Sequence, residues 1–372
     1  SLALAVVSYA RANVTYRELH LADGPWEVQV VEFERDSASL RLGVALAAGQ
    51  VHGREPLDKM VELVSTPRRR AIAAITGDFF KPDGDPVGLC IVGGELISTP
   101  NSRVALAILD DGTPVIDRFG FVANVRAGDG TTLRLDGVNQ ACPEDGVVLL
   151  TRRFDRQSRA SDSAGGPSVQ VVAGPLAGPL RPNEAYTFTV TATLRGDAAV
   201  VIDEGDVVFV GRGAGAESLA SFEVGQAISC DLRIEPSHGD PSGAIAYAAG
   251  GAGRLLRDGE VATDELAKLS PGFGEMRHPR TAFGFNDERA FFVTVDGRQP
   301  GYSIGMSLLE LAELLQELGA TEGINLDGGG STTMWAEGEI KNRPSDGGPR
   351  PIANALVVYQ IVNIPHATPP DR

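Results

Sequence analysis

Short apolar runs bounded by glycine, proline or aspartate recur along most of the chain, and this pattern predicts β-strands. The continuous run AFFVTV at residues 290–295 is typical of a buried strand, whereas the alternating run AYTFTVTATL at 185–194 predicts a half-buried antiparallel strand. The segment DDGTP at 110–114 separates two such runs and predicts a hairpin turn. The pattern therefore predicts an α+β fold made mostly of antiparallel or mixed β-sheet, with few helices.

The clearest predicted helix spans about residues 307–318. Ser307 and Glu310 have the spacing of a capping box, and Gly319 ends the pattern. Leucines recur on one face of this segment, which is typical of a helix packed against a core. The helix leads into a short predicted strand that ends at Asp327. Two shorter helices are predicted at residues 56–65 and 216–222.

The two ends of the chain suggest a division into segments. Residues 2–7 are apolar and Ala10-Arg11-Ala12 has the form of a cleavage site, so residues 1–12 are predicted to be a signal-peptide remnant, with a buried strand as the alternative. We predict a β-rich segment at 13–68, packed on a main catalytic domain at 69–360, and a tail at 361–372. Residues 156–168 and 268–280 are predicted loops, the second either a surface loop or a lid.

Composition narrows the classes of partner. The 372-residue chain has a net charge of −16 and a pI near 4.8, which argues against nucleic acid or an anionic membrane surface as a partner. No other stretch reaches the roughly 18 apolar residues of a membrane span. The three cysteines, Cys90, Cys142 and Cys230, lack metal-ligand spacing and allow at most one disulfide, whose pairing stays open. No metal or cofactor is predicted.

Two carboxylates follow predicted strands in the final third of the chain. Asp296 ends the strand at 290–295, and Asp327 ends the strand after the capped helix. This strand–helix–strand order predicts a βαβ-like unit, with both carboxylates at the carboxyl ends of neighbouring strands. Two carboxylates in one cleft can divide acid and base or nucleophile roles. The alternative is that each caps a turn, because Asp-Gly is a common turn pair.

The segment after Asp327 reads GGGSTT. Gly328, Gly329 and Gly330 free the backbone N–H groups to face an anionic oxygen, and Ser331 and Thr332 add hydroxyl donors. The segment lacks the lysine of a Walker loop, and VVFVGRGAG at 207–215 lacks the full dinucleotide fingerprint. An acid beside such a phosphate cradle suggests cleavage at an atom that bears a phosphate.

Positive charge for a phosphate must come from arginines. Arg280, Arg298 and Arg343 lie at predicted turns, and arginine suits bidentate phosphate recognition, although each alone is typical of a surface salt bridge. Asp78, in the segment TGDFF, is predicted to be a polar wall of the site. Its neighbours Asp83 and Asp85 lack the spacing of a calcium-binding EF-hand.

Several segments together resemble the phosphodiester glycosidase family. They occur in the family's order over about residues 71–358, and are GDFF with PVGL and GGEL, HPRTAFGF, VDGRQPGYSIGMSLLELAELLQELGA, GINLDGGGSTTMW and NRPSDGGPRPIANALVV. The resemblance implies hydrolysis of a sugar-1-phosphodiester, such as that of N-acetylglucosamine, to free sugar and a phosphomonoester. It implies Asp327 as the leading nucleophile or base and Asp296 as the second catalytic residue. It implies phosphate binding by Arg280, Arg298, Ser331 and the glycines, and orientation of sugar hydroxyls by Asn325 and Asn342.

The resemblance also has departures. Thr76 stands where many relatives have asparagine, and no cysteine-rich EGF-like tail follows. We therefore expect an exported prokaryotic enzyme, secreted or in the periplasm or cell envelope, that acts on a cell-surface or exopolysaccharide phosphodiester. The alternatives are a non-catalytic carbohydrate- or phosphate-binding module of the envelope and a phosphodiesterase that cuts the P–O bond.

Overall fold

A computed structural model of the chain describes residues 4–11, 13–128, 130–159, 167–239 and 243–362. The fold is 46% strand and 11% helix, which confirms the predicted mostly-β class with few helices. Among the described strands, every pair is antiparallel except β11 with β12.

The strands and helices are numbered in chain order. The strands of the first half are β1 (Leu4–Arg11), β2 (Val14–Leu21), β3 (Trp26–Glu34), β4 (Leu40–Leu46), β5 (Arg69–Thr76), β6 (Cys90–Val92), β7 (Glu95–Ser98), β8 (Val104–Leu109), β9 (Pro114–Ala127), β10 (Thr132–Arg134), β11 (Gly137–Val138), β12 (Val147–Leu150) and β13 (Ser168–Gly174). Those of the second half are β14 (Ala185–Arg195), β15 (Val207–Arg212), β16 (Ala227–Pro236), β17 (Ile245–Gly250), β18 (Arg254–Arg257), β19 (Glu260–Val261), β20 (Arg280–Phe285), β21 (Arg289–Val295), β22 (Glu322–Asn325), β23 (Met334–Ala336), β24 (Glu339–Ile340) and β25 (Asn354–Ile361). The α-helices are α1 (Leu57–Val64), α2 (Ala214–Leu219), α3 (Thr263–Leu266), α4 (Pro271–Gly274) and α5 (Leu308–Glu317).

Three sheets are formed from these strands. The first has the order β1-β2-β3-β21-β20-β22-β18-β19, and the second has the order β24-β23-β5-β25-β4. The third runs β11-β12-β15-β13-β14-β16-β9-β8-β17-β6-β7, with β10 paired to β9. The chain leaves the first sheet after β22 and enters the second at β23, so residues 326–333 connect two sheets.

The predicted local elements are present. Helix α5 begins after Ser307, whose side chain accepts a hydrogen bond from the Glu310 backbone N–H while the Glu310 side chain accepts one from the Ser307 N–H. Helices α1 and α2 occupy the two shorter predicted segments, and β8 and β9 form the predicted hairpin. Within the predicted loop at 268–280 lies the short helix α4, while residues 160–166 of the other predicted loop lie outside the described part.

One predicted detail is wrong. Strands β21 and β22, which end before Asp296 and Asp327, run in the same direction but are not neighbours, because β20 pairs with both of them. A strand from earlier in the chain thus inserts between the two, and local sequence patterns do not encode such non-local pairing. Arg280, at the start of β20, consequently lies between the two strand ends.

The N-terminal segment is continuous with the first sheet. Strand β1 pairs with β2, and β3 pairs with β21, while β4 pairs with β25 in the second sheet. The predicted boundary at residue 68 stays a prediction, as does the signal-peptide remnant, of which residues 1–3 and 12 lie outside the described part. The same holds for the predicted tail from residue 363 onward.

The core that positions the site lies between the first and second sheets. Ile75 and Leu356 of the second sheet pack with Phe283, Phe292 and Ile324 of the first, and all five are fully buried. Burying an aliphatic or aromatic side chain of this size stabilises a fold by about 1.5–3 kcal/mol. This contact fixes the ends of β5 and β22 next to each other.

The remaining predictions concern cysteines and membranes. Cys90, Cys142 and Cys230 are all buried, and burial raises the pKa of each thiol. No helix in the described part of the chain is both long enough and apolar enough to cross a membrane.

Candidate active site

The site forms where the chain crosses from the first sheet to the second. The Asp327 backbone N–H donates to the Gly77 carbonyl at 2.9 Å, and the Thr76 hydroxyl donates to the Ser331 carbonyl at 2.5 Å. These bonds join the end of β5 to the segment after β22. They bring two aspartates that are 249 positions apart in the chain, Asp78 and Asp327, into one site.

Asp327 is the half-buried carboxylate of the site. The Gly328 backbone N–H donates to its Oδ1 at 2.9 Å. Burial raises the pKa of Asp327 to about 6, against the opposing effects of hydrogen bonds from Ser331 and Gly328 and of the Arg350 charge. A carboxylate with a pKa near 6 is ionised at neutral pH and is a stronger base than an ordinary aspartate.

Asp78 is the fully buried carboxylate beside it. The Gly88 backbone N–H donates to its Oδ2 at 2.7 Å, and the Asp78 N–H donates to Oδ1 of Asn354 at 2.7 Å. Burial raises the pKa of Asp78 to about 7, the negative charge of Asp327 contributes to the rise, and the Arg103 charge opposes it. Asp78, predicted to be a polar wall of the site, is thus a buried carboxyl whose pKa is raised mainly by burial and in smaller part by the charge of Asp327.

Each of the three glycines has its own structural reason. A Cβ on Gly328 would lie 2.8 Å from the Pro279 carbonyl oxygen, and Gly329 has a φ of +61°, which favours glycine. A Cβ on Gly330 would collide with the paired side chains of Arg350 and Asp346. The run of three therefore lets the backbone approach β20 on one side and two guanidinium groups on the other.

Those guanidinium groups belong to Arg298 and Arg350. A Cβ on Gly329 would lie 3.1 Å from Nη2 of Arg298, which also faces Nδ1 of His278 at 3.3 Å. Arg350 pairs with Asp346 at 2.6 Å and donates to Oγ of Ser331 at 3.4 Å. Sequence analysis missed Arg350, although it lies in the segment NRPSDGGPRP that carries part of the family resemblance.

The hydroxyl and amide groups around Asp327 are buried and only partly engaged. The Thr333 hydroxyl donates to the Ser331 carbonyl at 3.1 Å, and Nδ2 of Asn325 donates to the Ala252 carbonyl at 2.9 Å. Among the described residues, Oγ1 of Thr332 and Oδ1 of Asn325 have no hydrogen-bond partner. Unpaired buried polar atoms are costly in a fold, and they are common where a ligand or water is bound.

Asp296 lies in a cluster of its own. It is 1% exposed, and its oxygens accept hydrogen bonds from Nδ2 of Asn342 at 3.0 Å, the Arg343 N–H at 3.0 Å and the Tyr302 hydroxyl at 3.2 Å. Burial raises its pKa. Asn342 also donates to the Thr332 carbonyl at 3.0 Å. This geometry suits positioning of the hydroxyl segment through Asn342, while a direct catalytic role for Asp296 stays a prediction.

The other two predicted arginines make structural contacts. Arg280 is buried and donates to the carbonyls of Met306 at 2.8 Å, Phe273 at 2.6 Å and Met276 at 2.9 Å. Burial and the nearby Arg298 charge lower its pKa to about 10. The exposed Arg343 guanidinium lies 5.0 Å from the centre of the Tyr302 ring. Of the three predicted arginines, Arg298 is the one in contact with the glycine segment.

A metal is not indicated by the side chains present. In the part of the chain that the structure describes, no group of three or more His, Cys, Asp or Glu side chains could hold a metal ion. Asp85 pairs with Lys81 at 2.6 Å and Asp83 faces His52 at 3.2 Å, so these aspartates serve ion pairs near the site.

A sequence model of the phosphodiester glycosidase family matches residues 183–359, just under half of the chain, and this range includes Asp327. Residues 183–359 of the chain are therefore similar to the phosphodiester glycosidase family domain.

Individual relatives are distant. The chain is 28% identical over 151 residues to mouse N-acetylglucosamine-1-phosphodiester alpha-N-acetylglucosaminidase, a match that spans 36% of this chain and 28% of the mouse protein. A hypothetical protein from Synechocystis superposes with a TM-score of 0.75 at 23% identity, over 94% of this chain and 62% of that one. A candidate exported protein from Burkholderia pseudomallei superposes with a TM-score of 0.72 at 22% identity, over 90% of this chain and 74% of that one. Both structures share the fold of this chain.

Replacement of Gly328 by alanine tests the close backbone approach. Because the new Cβ would lie 2.8 Å from the Pro279 carbonyl oxygen, we expect a loss of about 1–3 kcal/mol in the free energy of unfolding, measured by urea denaturation. Gly348→Ala is the matched control, since its Cβ would meet no atom within 4 Å. Equal stability of the two variants would contradict the packing described above.

Replacement of Asp78 by asparagine tests the raised pKa. The pKa of Asp78 is about 7 in the folded protein against an ordinary 3.8. Between these pH values the folded state holds a proton that the unfolded state has lost, so the free energy of unfolding should fall as pH rises from about 4 to about 7. An asparagine at this position cannot ionise, and we expect Asp78→Asn to reduce this decline by an amount on the order of a few kcal/mol. Urea unfolding at about pH 5 and about pH 8 measures it, with the exposed Asp203→Asn as control. An unchanged decline would show that Asp78 is not the group responsible.

Proposed function

We propose that this protein is a hydrolase that cleaves the glycosidic bond of a sugar-1-phosphodiester, such as one of N-acetylglucosamine, to free sugar and a phosphomonoester. The observation that carries the proposal is the half-buried Asp327 carboxylate at the start of a glycine segment that contacts the guanidinium groups of Arg298 and Arg350. The phosphodiester glycosidase family domain supports the same reaction class.

The cradle suits the phosphate of such a substrate. In a chain with a net charge of −16, positive charge at the glycine segment comes from Arg298 and from Arg350, although Arg350 also pairs with Asp346. An anion would require such local positive charge. The N–H groups of Gly328, Gly329, Ser331 and Thr332 already donate within the protein. We therefore assign the phosphate contacts to the guanidinium groups and, within the segment, to the Gly330 N–H. A phosphate leaving group is a weak base, so its departure needs little help from a general acid.

Asp327 would act at the anomeric carbon. It is ionised at neutral pH, and hydrogen bonds from Gly328 and Ser331 orient its carboxylate. It either attacks the anomeric carbon directly or removes a proton from the attacking water. Asp296 would support this arrangement through Asn342 and the Thr332 backbone.

Asp78 would be the protonated member of the pair. A second ionised carboxylate would repel the anionic phosphodiester, and burial avoids this by keeping Asp78 neutral below about pH 7. Among the described residues, Oδ1 of Asn325 and Oγ1 of Thr332 lack partners and suit sugar hydroxyl groups. Because Asn342 and Arg280 are already engaged, we assign them to positioning of the site.

We also propose that the enzyme acts outside the cytoplasm, secreted or in the periplasm or cell envelope, on a phosphate-containing glycan such as an exopolysaccharide. The apolar residues 2–7 followed by Ala-Arg-Ala are the sequence feature that suggests export, whereas the pairing of β1 with β2 agrees with the alternative of a strand. The structural similarity to a candidate exported protein of Burkholderia pseudomallei points in the same direction.

Sugar release from a panel of sugar-1-phosphodiesters tests the reaction. We expect the parent protein to release free sugar, and Asp327→Asn to lose about 10³-fold or more in kcat, because the carboxylate that attacks or activates water is gone. Asp203→Asn, at an exposed site, is the control and should keep parental activity. Hydrolysis by Asp327→Asn at a near-parental rate would overturn the assignment.

The same assay separates the alternatives when it is run in ¹⁸O-labelled water. Label in the released sugar supports cleavage of the C–O bond, and label in the phosphate shows a phosphodiesterase that cuts the P–O bond. Binding of the diesters without turnover would identify a non-catalytic module.

The pH dependence tests the roles of the two carboxylates. We expect kcat/KM to rise as Asp327 ionises near pH 6 and to fall as Asp78 ionises near pH 7, which gives a bell-shaped profile. The Asp78→Asn variant should lose the falling limb, because residue 78 then stays neutral at all pH values. A profile with the same falling limb in both proteins would contradict the assigned role of Asp78.

A further inference from the structure

A cavity of about 600 Å³ is lined in part by Phe79, the residue that directly follows Asp78 in the chain. Its lining includes Ala252 and Gly253, whose carbonyl groups accept hydrogen bonds from the side chain and the backbone of Asn325 at 2.9 Å and 3.0 Å. Ala252 and Gly253 thus separate the cavity from Asn325, which lies two residues before Asp327.

Aromatic rings form one wall of the cavity. Phe79 and Phe273 are both half-buried, with ring centres 5.9 Å apart. Phe273 belongs to the predicted loop at 268–280, and Arg280 holds this loop in place by donating to the Phe273 carbonyl. The buried guanidinium of Arg280 therefore positions this aromatic wall.

The charges at the cavity are predominantly positive. Arg103, Arg118 and Lys268 line it, against the carboxylate of Glu265. The Arg118 guanidinium is bidentate to Glu265, and Lys268 faces Glu265 at 3.4 Å and Asp264 at 3.7 Å. The Arg103 guanidinium lies 5.4 Å from the centre of the Phe79 ring, and its charge lowers the pKa of Asp78, but no described carboxylate lies within the 4.0 Å of a salt bridge.

We propose that this cavity binds a second anionic group of the substrate, carried on an apolar or planar unit and distinct from the phosphate at the glycine segment. The proposal rests on the proposed function for its link to catalysis. Arg103 would pair with the anionic group, because its side chain is exposed at the cavity and, among the described residues, no carboxylate forms a salt bridge with it within 4.0 Å. Phe79 and Phe273 would contact the unit that carries it.

The second anionic group can belong to the alcohol side of the diester or to the sugar, and two pairs of substrates separate these sources. The first pair is a neutral sugar 1-phosphate esterified with 4-carboxybenzyl or 4-carbamoylbenzyl alcohol. The second pair is the methyl phosphodiester of a hexuronic acid or of its primary amide. Within each pair the molecules have nearly the same shape and differ by one negative charge.

The ratio of kcat/KM within each pair is the measurement. We expect the parent protein to prefer the charged member of one pair by about two- to fivefold, as for a solvent-accessible ion pair, and Arg103→Gln to remove this preference. Arg298→Gln is the matched control: it should slow both members of the pair and leave their ratio unchanged. Phe273→Ala should reduce the advantage of the benzyl diesters over a methyl diester, whatever their charge.

A ratio near one in both pairs, or a preference that persists in Arg103→Gln, would overturn the proposal. If no diester is hydrolysed at all, the proposed function fails, and the affinity of the parent protein for 4-carboxybenzyl phosphate and 4-carbamoylbenzyl phosphate then decides on the cavity. Isothermal titration should show tighter binding of the carboxylate compound and loss of the difference in Arg103→Gln. Equal affinities would reject the cavity as an anion site.

Discussion

The candidate site depends on the joining of two sheets by a few hydrogen bonds, one between backbone groups and one from the Thr76 hydroxyl. Residues 326–333 leave the first sheet and enter the second, and the bonds from Asp327 to Gly77 and from Thr76 to Ser331 hold this crossing against the end of β5. Buried side chains between the two sheets fix the distance between the sheets. Without that connection the two carboxylates would lie on separate elements and could not influence each other's pKa.

Burial then decides the chemistry of the two aspartates. Both are desolvated, so both pKa values rise, but hydrogen bonds from Gly328 and Ser331 and the Arg350 charge hold Asp327 lower than Asp78. Two like charges close together in a low-dielectric site seldom ionise together, and one member of such a pair stays protonated. One site thus contains two carboxyl groups with raised pKa values beside two guanidinium groups, in a protein with a net charge of −16.

Several polar residues act on the site at a distance. Asp296 holds Asn342, Asn342 holds the backbone of Thr332, and Arg280 holds the segment that carries Phe273. From the sequence alone, an Asp-Gly pair, an asparagine or an arginine in a loop that contacts a ligand cannot be distinguished from one that only supports the loop. The difference lies in whether their polar atoms are already engaged, which depends on residues far away in the chain.

The sequence by itself determined the local features: a mostly-β chain, the capped helix α5, the hairpin turn and the glycine segment that follows Asp327. It also contains segments that resemble a glycosidase family. The local features follow from periodicity, capping and turn chemistry, which act over a few residues. The tertiary structure decided that β20 separates β21 from β22, that Asp78 is the carboxylate beside Asp327, and that Arg350 contacts Ser331. Each of these depends on pairing between distant parts of the chain, because desolvation and charge proximity exist only once the sheets have packed together.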